Sequence, residues 1–217
     1  YPYTDWVEQN PNEIWKSVLL VVKFIIKKNK ISTNDILSIG ITNQRETTIL
    51  WDKKTGSPVY NAIVWQDKRT SGYCEKLKTK KNIKLIKNIT GLTIDSYFSA
   101  TKIKWIIKNI KKTKLLLNQN RLAFGTIDSW ILWKLTDGNS HFTDVTNASR
   151  TMLFDIRKME WSSKLLKIFK IPRKILPKIK ENVCEFGITN KFGSKIKING
   201  IAGDQQSSLI GQACLKK

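Results

Sequence analysis

A repeated change of hydrophobic period limits what this chain can fold into. In NPNEIWKSVLLVVKFIIKKN the apolar residues Trp15, Val18, Leu19, Val22, Ile25 and Ile26 recur at three- and four-residue intervals, whereas in ILSIGIT, which follows, they form a short run. The first spacing is that of an amphipathic helix and the second that of a buried strand. Asn10 predicts an N-cap, Pro11 the first helical position, and Glu13 stands at capping-box spacing. TTILWD and PVYNAIVW read as two further strands joined by the turn KKTGS, where Gly56 supplies a positive φ.

The alternation continues. Helical patterns at TSGYCEKLK and SATKIKWIIKNI precede the strand LAFGTI and the helix DSWILWKL, capped by Asp128. RTMLFDI reads as a strand, SSKLLKIF as a helix before Pro172, and INGIAG as a last strand running into the helix DQQSSLIGQAC with Asp204 at its cap. Strands and helices mixed in this way, with neither internal repeat nor low-complexity linker, predict an α/β fold. At 217 residues the chain suits one domain or one and a half. It opens at Tyr1 rather than Met, in ordered-looking sequence, and stops at Lys217 just as a helix begins, so both ends are expected to be cut.

Composition excludes some classes. VLLVVKFII is interrupted by Lys23 and too short to span a bilayer, and YPYTDWVEQN is no secretory signal. The formal charge of +22 invites a nucleic-acid reading. However, Lys104, Lys108, Lys111 and Lys112 share one helical face, opposite Ile103, Ile106, Ile107 and Ile110. That is a solvated face over a buried one, without the aromatic interleaving that stacks bases. Lys, Ile and Asn share A/T-rich codons, so the charge is read as compositional drift and no nucleic-acid partner is expected. Cys74, Cys184 and Cys214 are odd in number and widely spaced, and His141 is the single histidine. Neither a disulfide framework nor a zinc site is expected, and reduced thiols fit a cytoplasmic protein.

Chemistry has few candidate positions. Asp204 follows IAG at the carboxyl end of a strand, where ligands of open α/β sheets bind, and Gly203 permits close backbone approach. A carboxylate there can take a proton from a substrate hydroxyl, or can simply cap the helix. Arg45 and Glu46 stand side by side in GITNQRETTILW. A vicinal diol can bridge them, since Arg only donates and a carboxylate only accepts. On a regular strand they would point to opposite faces, so this reading needs a loop or bulge; a surface ion pair is the plain alternative. Trp65 and Tyr97 can wall a pocket or pack in a core. No G-x-x-x-x-G-K-[ST] loop or other Gly-rich phosphate cradle is present.

Taken together, GITNQRETTILWDKKTGSPVYNAIVWQDKRT, GLTIDSYFSATKIKWIIKN, FGTIDSWILWKLTDG, TDVTNASRTMLFDI and GIAGDQQSSLIGQ resemble, in order and spacing, the glycerol kinase branch of the FGGY carbohydrate kinase family. The resemblance runs from about Tyr3 to Gln212. It implies a fold of two actin-like (ribonuclease H-like) α/β domains, of which residues 1–217 would be an incomplete N-terminal, glycerol-binding one. It implies transfer of phosphate from ATP, with Mg²⁺, to glycerol, giving sn-glycerol 3-phosphate. Asp204 would be the base; Arg45, Glu46, Tyr97 and Gln205 would contact glycerol, and Trp65 would wall it. A homodimer or homotetramer is implied for the complete protein. The family's Asp-x-Gly-Thr-Thr loop and nucleotide-holding second domain are not in this sequence, so the chain alone is expected to be inactive. TNKFGSKIKINGIAG is also shorter than the family's bisphosphate-binding loop and offers Lys195 and Lys197 in place of an Arg. Inhibition by fructose 1,6-bisphosphate is therefore expected to be weak or absent.

Overall fold

The computed structural model describes residues 2–214; Tyr1 and Lys217, on which the expectation of cut ends rests, lie outside the described residues. The fold mixes helices and strands, as the change of period predicts. Its organising sheet has three strands: Val183–Thr189 antiparallel to Ile196–Gly203, which in turn runs parallel to Ser38–Asn43. The register pairs Ile201 with Ile41, Ala202 with Thr42 and Gly203 with Asn43. Two distant segments thereby end side by side, and the residues that follow them emerge at the same end of the sheet.

The Pro11–Lys28 helix starts where Asn10 predicts: Asn10 Oδ1 accepts from Asn12 N at 2.9 Å, and Pro11 follows at the first turn. Its apolar stripe is only half covered. Trp15, Val18, Leu19, Val22 and Ile26 are half-buried, but Ile25 is exposed, as are Leu20 and Phe24. A cavity of about 650 Å³ separates this helix from Ile39 and Ile41 of the sheet and Ile127, Ile131 and Leu135.

Two apolar clusters make up the core. One gathers Trp51, Trp130, Trp133, Phe186, Ile198 and Ile201. The other, larger, gathers Leu50, Ile103, Ile106, Phe124, Phe154, Leu165 and Phe169. In the SATKIKWIIKNI segment the helix is Ser99–Asn109, with Ile103 and Ile106 fully buried and Lys108 exposed. His141 is a packing residue: its Nε2 donates to Phe124 O at 2.8 Å, and its ring lies 5.3 Å from Trp51 and 5.7 Å from Trp133. Burial lowers it to about 4.

Several expected elements differ. The TTILWD strand, Ile49–Asp52, takes Leu122–Gly125 as its antiparallel strand partner; PVYNAIVW contributes Ala62–Ile63, paired with Glu8–Gln9, and meets TTILWD through the single antiparallel bridges Thr48 to Ile63 and Trp51 to Pro58. The turn survives, with Gly56 at φ 64 and its N–H donating to Asp52 O at 2.8 Å. RTMLFDI is strand only at Phe154–Asp155, because residues 149–152 form a turn with Met152 at φ 61. Asp128 is not the cap of its helix: Thr126 holds that position, and the buried Asp128 accepts from the Thr126 and Thr143 hydroxyls. Gly203 holds the cap position before the Asp204–Gly211 helix, leaving Asp204 as the first helical residue. The Lys80–Thr90 helix and the Val183–Thr189 strand were not expected.

Candidate functional site

The two parallel strand ends carry the site. After Asn43 the chain leaves the sheet and turns at Glu46, which adopts φ 61; Thr47 N donates back to Arg45 O at 2.6 Å. A non-glycine residue in this region is uncommon and strained. The turn meets the requirement set by the sequence, because it frees Arg45 and Glu46 from strand alternation. Ser99 Oγ and Thr48 Oγ1 both donate to Glu46 O, at 2.9 and 3.0 Å, and hold the turn.

Arg45 and Glu46 are no surface pair: their exposures are only 8% and 3%. Each is engaged elsewhere. Arg45 lies against the other strand end, with Nε 3.8 Å from Asp204 Oδ1 and its guanidinium donating to Gln205 Oε1. Gly203 makes this possible, since a Cβ there would come within 2.9 Å of Arg45 Cγ. Glu46 accepts instead from Arg150 Nε at 2.6 Å. Arg150 also lies over Tyr97 and Phe98, 5.4 and 4.9 Å from their ring centres. Trp65 and Tyr97, both half-buried, pack with centroids 5.5 Å apart and extend the wall. Asp204 is the open member, its side chain 56% exposed.

A polar network ties the strand ends together. Asn43 Nδ2 donates to Asn147 Oδ1 at 2.9 Å, and Asn147 Nδ2 donates to Asp144 Oδ1 at 2.6 Å. Gly203 N donates to Thr146 Oγ1 at 2.8 Å, and Asn182 Nδ2 bridges Asp144 and Ile201 O. The Val145–Ala148 helical turn therefore clips the strand carrying Arg45 to the strand carrying Asp204.

The electrostatics are unusual for carboxylates and lysines. Burial raises the Glu46 carboxyl above its ordinary value, partly opposed by Arg150, Arg45 and Lys102. Lys102 is fully buried, donates to Tyr97 O at 2.5 Å, and is lowered by burial to about 7, against the pull of Asp67 and Glu46.

All six candidate residues thus lie at one end of the sheet or on its wall: Arg45, Asp204 and Gln205 in direct contact, and Glu46 joined through Arg150 to Tyr97 and Trp65. Arg150 and Lys102 were missed. Arg150 lies in a segment read as strand, where its reach toward Glu46 was not apparent. The signal for Lys102 was its spacing: four residues before Ile106, it falls on the buried side of its helix rather than with Lys104 and Lys108.

Residues 1–211 match the N-terminal domain of the FGGY family of carbohydrate kinases. The chain belongs to that family. Over its whole length this FGGY chain is 52% identical to the glycerol kinase of Borreliella burgdorferi, 50% to that of Fusobacterium nucleatum and 49% to that of Bacillus subtilis. It spans 44% of the length of each. Plasmodium falciparum glycerol kinase, solved with ADP, superimposes on 99% of the chain with a TM-score of 0.93 at 41% identity, the chain covering 44% of it. A ligand-bound xylulose kinase from Lactobacillus acidophilus matches 97% of the chain at a TM-score of 0.83 and 25% identity, with 42% of that structure covered. The α/β fold is that of the FGGY N-terminal domain, and among the described residues no helix is long and apolar enough to cross a membrane.

Proposed function

We propose that residues 1–217 form part of the polyol-binding domain of a cytoplasmic glycerol kinase, which phosphorylates a terminal hydroxyl of glycerol from ATP in glycerol uptake and catabolism. The observation that carries this reading is the turn at Glu46. It sets a buried donor, Arg45, and a buried acceptor, Glu46, beside an exposed carboxylate, Asp204. Glycerol is short enough for two hydroxyls to bridge Arg45 and Glu46 while the third reaches Asp204. Tyr97 and Gln205 add polar contacts, and Trp65 covers the C–H face. Identities near one half to proteins named glycerol kinase support glycerol over a longer polyol.

Asp204 takes the proton of the terminal hydroxyl as its oxygen attacks the γ-phosphorus. The bond from that phosphorus to the bridging oxygen breaks, ADP leaves with the electron pair, and Asp204 keeps the proton. Arg45, with Nε 3.8 Å from Asp204 Oδ1, aims the carboxylate.

ATP and Mg²⁺ are the co-substrate and metal that this reading implies. No Gly-rich phosphate cradle occurs in the sequence, and among the described residues no group of three or more His, Cys, Asp or Glu side chains is placed to hold a metal. They would be held mainly by the length that the relatives have beyond this chain. The test is turnover of the complete protein on glycerol, xylulose and gluconate. A kcat/KM for glycerol far above the other two is expected; preference for xylulose or gluconate would give the site to a different sugar. The 217-residue chain alone should release no glycerol 3-phosphate.

A further inference from the structure

Arg150 stands apart from the residues that would touch glycerol, yet two of them lean on it. Its guanidinium binds the Glu46 carboxylate at 2.6 Å and covers the rings of Tyr97 and Phe98. Glu46 is 3% exposed, so water can do little to support its charge. The charged groups around Glu46 are Arg150 from the turn after Val145–Ala148, Arg45 from its own segment and Lys102 from the Ser99–Asn109 helix. Of these, Arg45 is turned toward Asp204 and Gln205, and Lys102 toward Tyr97 O. Arg150 is the one bonded directly to the carboxylate.

We infer that Arg150 is a positioning residue of the polyol site: it keeps Glu46 an anion and aims it, so that Glu46 can accept from two hydroxyls. The inference rests on the reading of Arg45 and Glu46 as a polyol clamp. A protonated Glu46 would donate one hydrogen bond and lose acceptor capacity, and the match to a diol would fail. Arg suits this task better than Lys because its planar fork binds a carboxylate and stacks on an aromatic ring at once. The same contact fixes the wall, because the Tyr97 ring lies under the guanidinium.

The test combines a ligand-free readout with a binding readout on the 217-residue chain. With side-chain carboxyl carbons labelled, NMR follows the Glu46 titration in wild type, Arg150→Met and Arg150→Lys. Losing the bonded cation should move the Glu46 midpoint upward by about one pH unit or more, and Lys should recover part of that shift. Glycerol titrations followed by the Trp65 indole signal should show affinity in Arg150→Met reduced about tenfold or more at pH 6. The gap to wild type should narrow as pH rises and Glu46 ionises again. A merely structural loss would weaken binding equally at every pH and would not move the midpoint. An unchanged Glu46 midpoint in a folded Arg150→Met chain overturns the inference, whatever glycerol does. A shifted midpoint in a chain whose wild type ignores glycerol would uphold Arg150's hold on Glu46 and sink the glycerol reading instead. If Arg150→Met does not fold, Arg150→Lys carries the same comparison.

Discussion

At the scale of single residues, the site depends on close approach as much as on charge. Gly203 has an ordinary extended backbone, and what it supplies is the space of its missing Cβ. In Gly203→Ala the new methyl meets Arg45 Cγ and Cδ, and Arg45 must leave Asp204. Glycerol affinity measured by calorimetry should fall about tenfold, with a stability loss on the order of 1 kcal/mol. In the complete protein, Asp204→Asn should cut kcat by orders of magnitude with glycerol binding largely kept, whereas Arg45→Ala should chiefly raise the KM for glycerol. Single-turnover and equilibrium measurements together would reveal an exchange of these roles. His141 tests the core. It takes its proton near 6.5 when unfolded and near 4 when folded, so between these values the unfolded chain binds the extra proton. Its contribution to stability is present above 6.5 and declines as pH falls toward 4, by on the order of 3 kcal/mol. Denaturant titrations of wild type and His141→Gln should show the difference between them growing with pH across that window; a constant difference would mean that His141 ionises as freely folded as unfolded.

At the scale of elements, the clip between the strands is what the sequence hid best. The apolar runs and the 3.6-residue spacing made the strands Ser38–Asn43 and Ile196–Gly203 and the helices Pro11–Lys28 and Ser99–Asn109 legible, although Pro11–Lys28 leaves its stripe half covered and Ser38–Asn43 alternates exposed and covered residues instead of being buried throughout. Local pattern could not show that TTILWD takes LAFG as its strand partner and keeps only single bridges to its sequence neighbour, since pairing partners are chosen by tertiary packing. The segment TDVTNASR was illegible for a related reason: its Asp, Thr and Asn side chains bond to one another and to distant backbone instead of following a hydrophobic period. Likewise, Arg45 and Glu46 were recognisable as a pair, but not the left-handed turn at Glu46 that separates their partners. Asn147→Ala removes side-chain bonds to both Asn43 and Asp144 and leaves the buried Asn43 Oδ1 without its donor. It should cost about 1–3 kcal/mol of stability, read by urea denaturation, and weaken glycerol binding although Asn147 touches no ligand. The Lys191–Lys197 hairpin segment offers an exposed Lys195, while Lys197 pairs with Glu185 at 3.4 Å. Weak bisphosphate inhibition of the complete protein remains the expectation there.

At the scale of the whole molecule, Ser38–Asn43 is an edge strand among the described residues, the cavity under the Pro11–Lys28 helix lies beside it, Leu37 just before it is exposed, and the same helix exposes Leu20 and Phe24. An unpaired edge next to apolar surface is a template for association. The isolated 217-residue chain should bind a hydrophobic dye and self-associate as its concentration rises, despite a charge of +22. Light scattering of a Leu20→Lys, Phe24→Lys variant should show the association reduced. If one sheet end grips a triol through Arg45 and Glu46, calorimetric titration of glycerol into wild-type and Arg45→Ala chains will show it. Saturable binding to wild type, lost or weakened at least tenfold in a folded Arg45→Ala chain, is the predicted result. Equal binding by both chains, or none by either, would contradict it.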